Sequence, residues 1–211
     1  MGSDGLVIIG GGHAASELAA NLVQHRYKDP IIIVSEENWA PYQRPPLSKG
    51  LLEGAQDPGD IRLRPQRFYE EKQIGLHCGR KVVHVDPKAQ EVVFSDNSIM
   101  NYQNLVVATG AAPVVPPIEG AELPGVYTLR SLDDALQLRE AFLNGGKLVL
   151  VGGGYVGLEV AASACRLGLD VEVLEAGPEV MARSVSPLVG AFMRNIHRKK
   201  GVQVHLNSMA K

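Results

Sequence analysis

The feature that most restricts how this 211-residue chain can fold is that one device occurs in it twice. "GLVIIGGGHAASELAANLVQH" (5–25) and "KLVLVGGGYVGLEVAASACRLG" (147–168) share one plan. Each is a β-branched run, then a glycine cluster, then apolar residues at helical spacing: Ala15, Leu18, Ala19 and Leu22 in the first, Val156, Val160, Ala161, Ala164 and Leu167 in the second. Each is followed by a second apolar strand ending in acid, "IIIVSEE" and "DVEVLEA". The pattern predicts β–α–β twice, an α/β fold with two Rossmann-like dinucleotide-binding units.

The glycine spacings are Gly10-x-Gly12-x-x-Ala15 and Gly152-x-Gly154-x-x-Gly157. The first glycine permits the tight turn, the second lets a pyrophosphate approach the backbone, and the small third residue lets helix and strand pack closely. The helix N-terminus then offers free N–H groups and the positive end of its dipole. Glu36 and Glu175 end the second strands, where a carboxylate can accept hydrogen bonds from a ribose diol. Glu175 would repel the 2′-phosphate of NADP, and "EAGPEV" has no adjacent arginine to compensate, so the second site is expected to prefer NAD(H).

Between the copies, residues from about 76 to 104 alternate apolar and polar around Asp-Pro and Ser-Asp-Asn turns, predicting a small antiparallel meander. "LVVATG" follows as a buried strand leaving through Thr109-Gly110, either to bring backbone near a ligand or simply to turn. The Pro/Gly-rich "AAPVVPPIEGAELPG" reads as a hinge. Two domains are expected, 1–112 and 113–211, the second incomplete at its C-terminus. Ser131 with Asp134 predicts a capped helix ending before Gly145, and Ser186-Pro187 starts another that closes on "HRKKG". Basic residues suit a helix C-terminus, so that cluster reads as capping rather than as a binding patch. "VQVHL" begins a last strand.

A net charge of −2 argues against a general nucleic-acid binder. Only two cysteines, Cys78 and Cys165, occur, and they are far apart in sequence, so neither a disulfide framework nor a metal site is expected and a reducing cytoplasm fits. They read as small buried apolar residues. The start "MGSDGLVIIG" has no basic leader, and no apolar run nears the roughly 18 residues of a membrane helix.

The stretch "PYQRPPLSKG" places Arg44 and Lys49 around a rigid Pro-Pro step. Pro46 can occupy the first turn of a short helix without losing a needed donor. Together, "GGGHAA", "PYQRPPLSKG", "LVVATG" and "VGGGYVGLEVA" resemble the FAD-dependent, NADH-using ferredoxin reductases of bacterial oxygenase systems. These are the putidaredoxin reductase-like branch of the pyridine nucleotide-disulfide oxidoreductase superfamily, with a glutathione-reductase-like fold. The resemblance spans essentially the whole chain, in the family's order. Family members are roughly twice as long, so the chain resembles an N-terminal half.

The resemblance implies FAD in the first unit and NADH in the second. It would place Gly10, Gly12, Ala14 and Ala15 at the FAD pyrophosphate, Glu36 at its ribose and the Val82 backbone at its adenine. Arg44, Lys49, Thr109, Gly110 and Arg130 would lie along the flavin. Gly152, Gly154, Gly157, Glu175 and Arg183 would hold NADH. Tyr155 resembles the ring that covers the flavin until nicotinamide displaces it, and Glu159 the acid that pairs with Lys49. A fixed cation favours a reduced, anionic flavin, and a partner carboxylate keeps that lysine charged.

The region Ser35 to Gly54, where related disulfide reductases carry a redox cysteine pair, has no cysteine. Delivery of single electrons to a ferredoxin-type iron–sulfur protein is therefore the expected outcome. Arg62, Arg64 and Arg67 would dock such an acidic carrier, or form a solvated surface with Glu70 and Glu71. Two other readings stand beside this one: a flavin NADH oxidase or other NADH-dependent reductase, and a non-catalytic nucleotide-binding fragment. The family's second flavin contact, an Ala/Gly-Gly-Asp string, and its C-terminal interface domain have no counterpart in these residues, so weak FAD retention and little or no turnover by this chain alone are expected.

Overall fold

The computed structural model describes residues 5–210. The expectation drawn from the start "MGSDGLVIIG" falls partly on residues 1–4, which lie outside the described residues. Two compact units divide the chain: one takes the residues through Gln43 and Gly59–Ala112, the other Arg44–Pro58 and the residues from Pro113 on.

In the first unit, β1 (Leu6–Ile9), α1 (His13–Gln24) and β2 (Ile31–Val34) form the expected β–α–β. After α2 (Gln66–Glu71) comes β3 (Ile74–His77), then β4 (Val82–Asp86), β5 (Glu91–Phe94), β6 (Ile99–Asn101) and β7 (Asn104–Val107). A parallel sheet runs β3-β2-β1-β7. Its central strand is apolar at every position because both faces are covered. Leu6 and Ile8 pack with Ala15 and Ala19 of α1, while Val7 and Ile9 pack with Val92, Phe94 and Met100.

The antiparallel meander is β4-β5-β6, residues 82–101, narrower than the 76–104 expected. Leu76 and His77 instead end β3, parallel to β2, and Asn104 opens β7, parallel to β1. Alternation of apolar residues fixes a strand's faces but not its neighbour's direction. The expected turns are present: the Asp86 carboxylate accepts the Lys88 and Ala89 N–H groups, and Asn97 takes φ +62° between β5 and β6. The strand "LVVATG", expected to be buried, is an edge strand with Val107 65% exposed, because it has a neighbour on one side only among the described residues.

In the second unit, α3 (Leu132–Leu143) precedes β8 (Lys147–Val151), α4 (Tyr155–Arg166), β9 (Asp170–Glu175), α5 (Pro187–Lys199) and β10 (Gln203–Leu206). The parallel sheet runs β10-β9-β8. Val171 and Val173 of β9 are fully buried against Leu158, Ala161 and Ala164 of α4, each valine contributing about 1.5–3 kcal/mol. Leu52, from the Arg44–Pro58 excursion, joins the same core.

The capping box expected at α3 is present: Ser131 Oγ accepts the Asp134 N–H, and Asp134 accepts the Ser131 N–H. α5 starts with Pro187 in its first turn and ends in His197, Arg198 and Lys199, with Arg198 donating to the Val204 carbonyl. Cys78 and Cys165 are free and half-buried rather than buried, and each behaves as a polar group, its Sγ reaching a backbone carbonyl, of Trp39 and Lys200 respectively. Among the described residues no helix is long and apolar enough to cross a membrane, and no His/Cys/Asp/Glu group could hold a metal.

Candidate functional site

Both glycine clusters lead into helices whose first N–H groups have no side-chain cap, in contrast to α3. Helix N-termini leave such donors without intrahelical partners. Gly12 is the N-cap of α1 and Gly154 that of α4, and a Cβ added at either would meet nothing within 4 Å. Each turn is thus an open backbone cradle at the positive end of a helix, the arrangement a pyrophosphate requires.

The two turns are crowded at different places. Gly10, at φ +117°, would put a Cβ 2.2 Å from the Ala108 carbonyl oxygen. The third position of that copy carries Ala15, fully buried against the sheet, while its neighbour Ala14 is exposed. In the second copy Gly152, at φ +104°, has open space, but a Cβ on Gly157 would stand 2.3 Å from the Gly152 carbonyl oxygen. Hence alanine serves in the first copy and glycine in the second.

Within the second unit the cradle opens on a cleft of about 920 Å³ lined by Gly152, Gly154, Glu175, Gly177 and Arg183. That volume is within the ordinary range for a cofactor site. Glu175 closes β9 with both oxygens engaged: Oε2 accepts the Gly153 N–H at 2.8 Å and Oε1 the Gly177 N–H at 2.7 Å. These bonds fix the carboxylate at the cleft wall and leave lone pairs for a diol. Although "EAGPEV" has no arginine, the fold brings Arg183 into the same lining.

In the first unit Glu36 lies two residues beyond β2, not at its end, because pairing with β1 stops at Val34. Its exposed carboxylate meets Lys81 Nζ at 2.7 Å, and the next residue, Val82, opens β4 beside an irregularity in register. Thr109 and Gly110 follow β7 and are exposed, Gly110 at φ +73°.

"PYQRPPLSKG" folds as anticipated around its prolines. Pro45–Ser48 is a single 3-10 turn with proline at its start, and Leu47 and Ser48 are buried. Lys49 follows, its Nζ 2.7 Å from Glu159 Oε2 and 3.2 Å from the Pro45 carbonyl. Ser48 Oγ donates to the same Glu159 oxygen at 2.6 Å. Burial opposes ionisation of Glu159, but the hydrogen bonds from Lys49 and Ser48 outweigh it and hold its carboxyl below the usual range. Arg44 Nη1 donates to the Arg130 carbonyl at 2.6 Å, and the Arg130 N–H donates to Asp134. Tyr155, the first residue of α4, is 55% exposed.

Sequence reasoning did not single out the neighbours of this pair. Ser163 Oγ lies 2.8 Å from the Ser48 carbonyl and 2.7 Å from Glu53 Oε1, and Arg166 binds Glu53 through Nε at 3.1 Å and through Nη2. The signal was the i, i+4, i+7 spacing of Glu159, Ser163 and Arg166 along one helix face. The arginine cluster proves uneven. Arg64 pairs with Glu17 at 2.9 Å and stacks over Phe68, whereas Arg62 and Arg67 are exposed.

The chain is similar to known reductases over nearly its whole length. Rhodocoxin reductase of Rhodococcus erythropolis is 40% identical over 206 residues, covering 98% of this chain and 48% of the relative. The crystal structure of the ferredoxin reductase for the CYP199A2 system from Rhodopseudomonas palustris superposes with a TM-score of 0.92 at 35% identity, covering 97% of this chain and 50% of that one. The covalent putidaredoxin reductase–putidaredoxin complex gives 0.91 at 32%, covering 98% and 50%. The chain therefore spans about half the length of the relatives it matches. The family described as "Pyridine nucleotide-disulphide oxidoreductase" matches residues 4–211. On that match this chain belongs to the pyridine nucleotide-disulphide oxidoreductase family.

Proposed function

We propose that this chain is the FAD- and NADH-binding part of a flavoprotein reductase that takes hydride from NADH and passes single electrons to a ferredoxin-type iron–sulfur protein of an oxygenase system. The observation that carries the reading is the pair of open glycine cradles, each at the uncapped N-terminus of a helix, on one chain. The relatives point the same way, one named for rhodocoxin and one solved joined to putidaredoxin.

FAD, when bound, would supply the hydride-accepting and electron-delivering chemistry that no side chain here offers. The residues do the rest. Gly10, Gly12, Ala14 and Ala15 form the turn that receives the FAD pyrophosphate, Glu36 exchanges Lys81 for a ribose, and the Val82 backbone meets the adenine. Gly152, Gly154 and Gly157 shape the NADH cradle, Glu175 accepts its ribose hydroxyls and opposes a 2′-phosphate, and Arg183 shares that wall. Lys49, held in place by its ion pair with Glu159, would present a positive charge to the flavin side. Arg44, Thr109, Gly110 and Arg130 would contribute to the flavin side, and Tyr155 would cover the ring. Arg62 and Arg67 serve as the docking cations for an acidic carrier, in a reducing cytoplasm.

The test uses the intact flavoprotein with FAD bound. NADH is expected to bleach the flavin absorbance, and NADH to bind at least tenfold tighter than NADPH by nicotinamide fluorescence. With the intact protein, a [2Fe–2S] ferredoxin is expected to outpace oxygen and quinone as acceptor. Faster reduction of oxygen or quinone overturns the ferredoxin assignment, and equal NADPH affinity overturns the role of Glu175.

A further inference from the structure

We propose that Ser163, Glu53 and Arg166 are positioning residues that fix the backbone immediately before Lys49 and so set where its ammonium group stands. This rests on the role just given to Lys49, but the geometry behind it is independent of any cofactor. The excursion Arg44–Pro58 packs with the second unit, and one face of α4 grips it at three successive levels. Glu159 holds Ser48 Oγ and Lys49 Nζ on a single oxygen. One turn on, Ser163 reaches both the Ser48 carbonyl and Glu53. One turn further, Arg166 closes on Glu53 and also lies 3.3 Å from Ser163 Oγ.

The Ser48 carbonyl belongs to the peptide group that leads directly into Lys49, so its contact with Ser163 fixes the point from which the lysine side chain departs. Ser48 and Ser163 are 4% and 0% exposed, out of reach of water that could substitute for these bonds. Ser163 has one hydroxyl proton for two acceptors, the Ser48 carbonyl and Glu53. Arg166, donating to both Glu53 and Ser163, keeps the carboxylate charged and in place beside that hydroxyl. Burial at this helix position would be equally well served by alanine, so a serine here is explained by what its oxygen touches. Glu53 is accordingly held below the usual carboxylate range, first by its hydrogen bond from Arg166 and then by that from Ser163.

Competitive labelling of lysine amines by acetic anhydride, read by mass spectrometry, tests this on the chain itself without FAD. Lys147, ion-paired to Glu172, serves as the internal standard. In Ser163→Ala, Lys49 is expected to label several-fold faster relative to Lys147, and Ser163→Thr, which keeps the hydroxyl, is expected to restore the slow rate. A general loss of stability would speed Lys147 as well, and that result overturns the proposal. So does a Lys49 rate within twofold of wild type in Ser163→Ala when Glu159→Gln raises it. Glu53→Gln provides the second variant should Ser163→Ala fail to fold, with the same increase expected and an unchanged rate overturning the proposal. A faster Lys49 in Ser163→Ala, combined with a flavin reduction potential unmoved by Lys49→Met in the intact flavoprotein, upholds the positioning role and overturns the role given to Lys49.

Discussion

Replacing Gly157 by alanine should weaken NADH binding and the second unit together. The added methyl carbon would sit 2.3 Å from the Gly152 carbonyl oxygen, roughly 1 Å inside ordinary contact. The turn cannot simply open, because the Gly152 N–H is bonded to the Leu174 carbonyl of β9 at 2.8 Å. The start of α4 must therefore move. Overpacking of this kind costs about 1–3 kcal/mol, and replacing glycine in a helix returns at most about 1 kcal/mol. A net loss of about 1–2 kcal/mol should lower the unfolding midpoint of a unit this size by about 5–15 °C. The same displacement carries the α4 N–H donors away from a pyrophosphate, and losing one hydrogen bond to a charged group weakens Kd about tenfold or more. Calorimetry and nicotinamide fluorescence titration measure the two effects. A Gly157→Ala protein with an unchanged midpoint, and an NADH Kd within twofold of wild type, would refute the steric reasoning. The first copy supplies the contrast, since its crowding lies at Gly10 and Ala15 already carries the methyl.

Two further expectations concern stability. Asp134→Ala removes the acceptor for the Ser131 and Arg130 N–H groups, at 2.8 and 2.9 Å, and should cost about 1–2 kcal/mol; an unchanged thermal midpoint would show that solvent caps α3 equally well. Glu53 and Glu159 have carboxyl pKa values below their unfolded ones, so their contribution is fully present above the unfolded value near pH 4.3 and is lost as pH falls through the lowered folded values. The midpoint should therefore hold steady down to about pH 5 and drop below it, with Glu53→Gln/Glu159→Gln flattening the drop; an equal slope in the double variant would count against the linkage.

Much of the scaffold was legible because its signals are local. A glycine turn followed by 3.6-residue periodicity identifies β1–α1 and β8–α4 without reference to the rest of the chain, as does the Ser131/Asp134 box. What was not legible depends on partners distant in sequence. Nothing in "GLHC" tells that Leu76 and His77 pair parallel to β2 rather than with the meander. The Lys49–Glu159 pair was reached through family resemblance, and Ser163 and Glu53, 110 residues apart, form part of a seam that only the fold reveals. The sequence left Arg64 as either a docking cation or part of a solvated surface, because it does not show Glu17 of α1 beside it.

The excursion of Arg44–Pro58 into the second unit has a consequence for synthesis and dissection. Ser48 precedes Ser163 by 115 residues, so at about 5–20 residues per second its partner emerges on the order of ten seconds later. During that interval Leu52, which ends in the core with Leu158 and Val173, has nothing to bury against. The first unit must close around a loop that waits, exposed, for a helix not yet made. For the same reason the chain has no single boundary in the gene. A cut after Ala112 yields one product with a stranded apolar loop and another with a gap where Leu52 belongs, and neither is a whole unit.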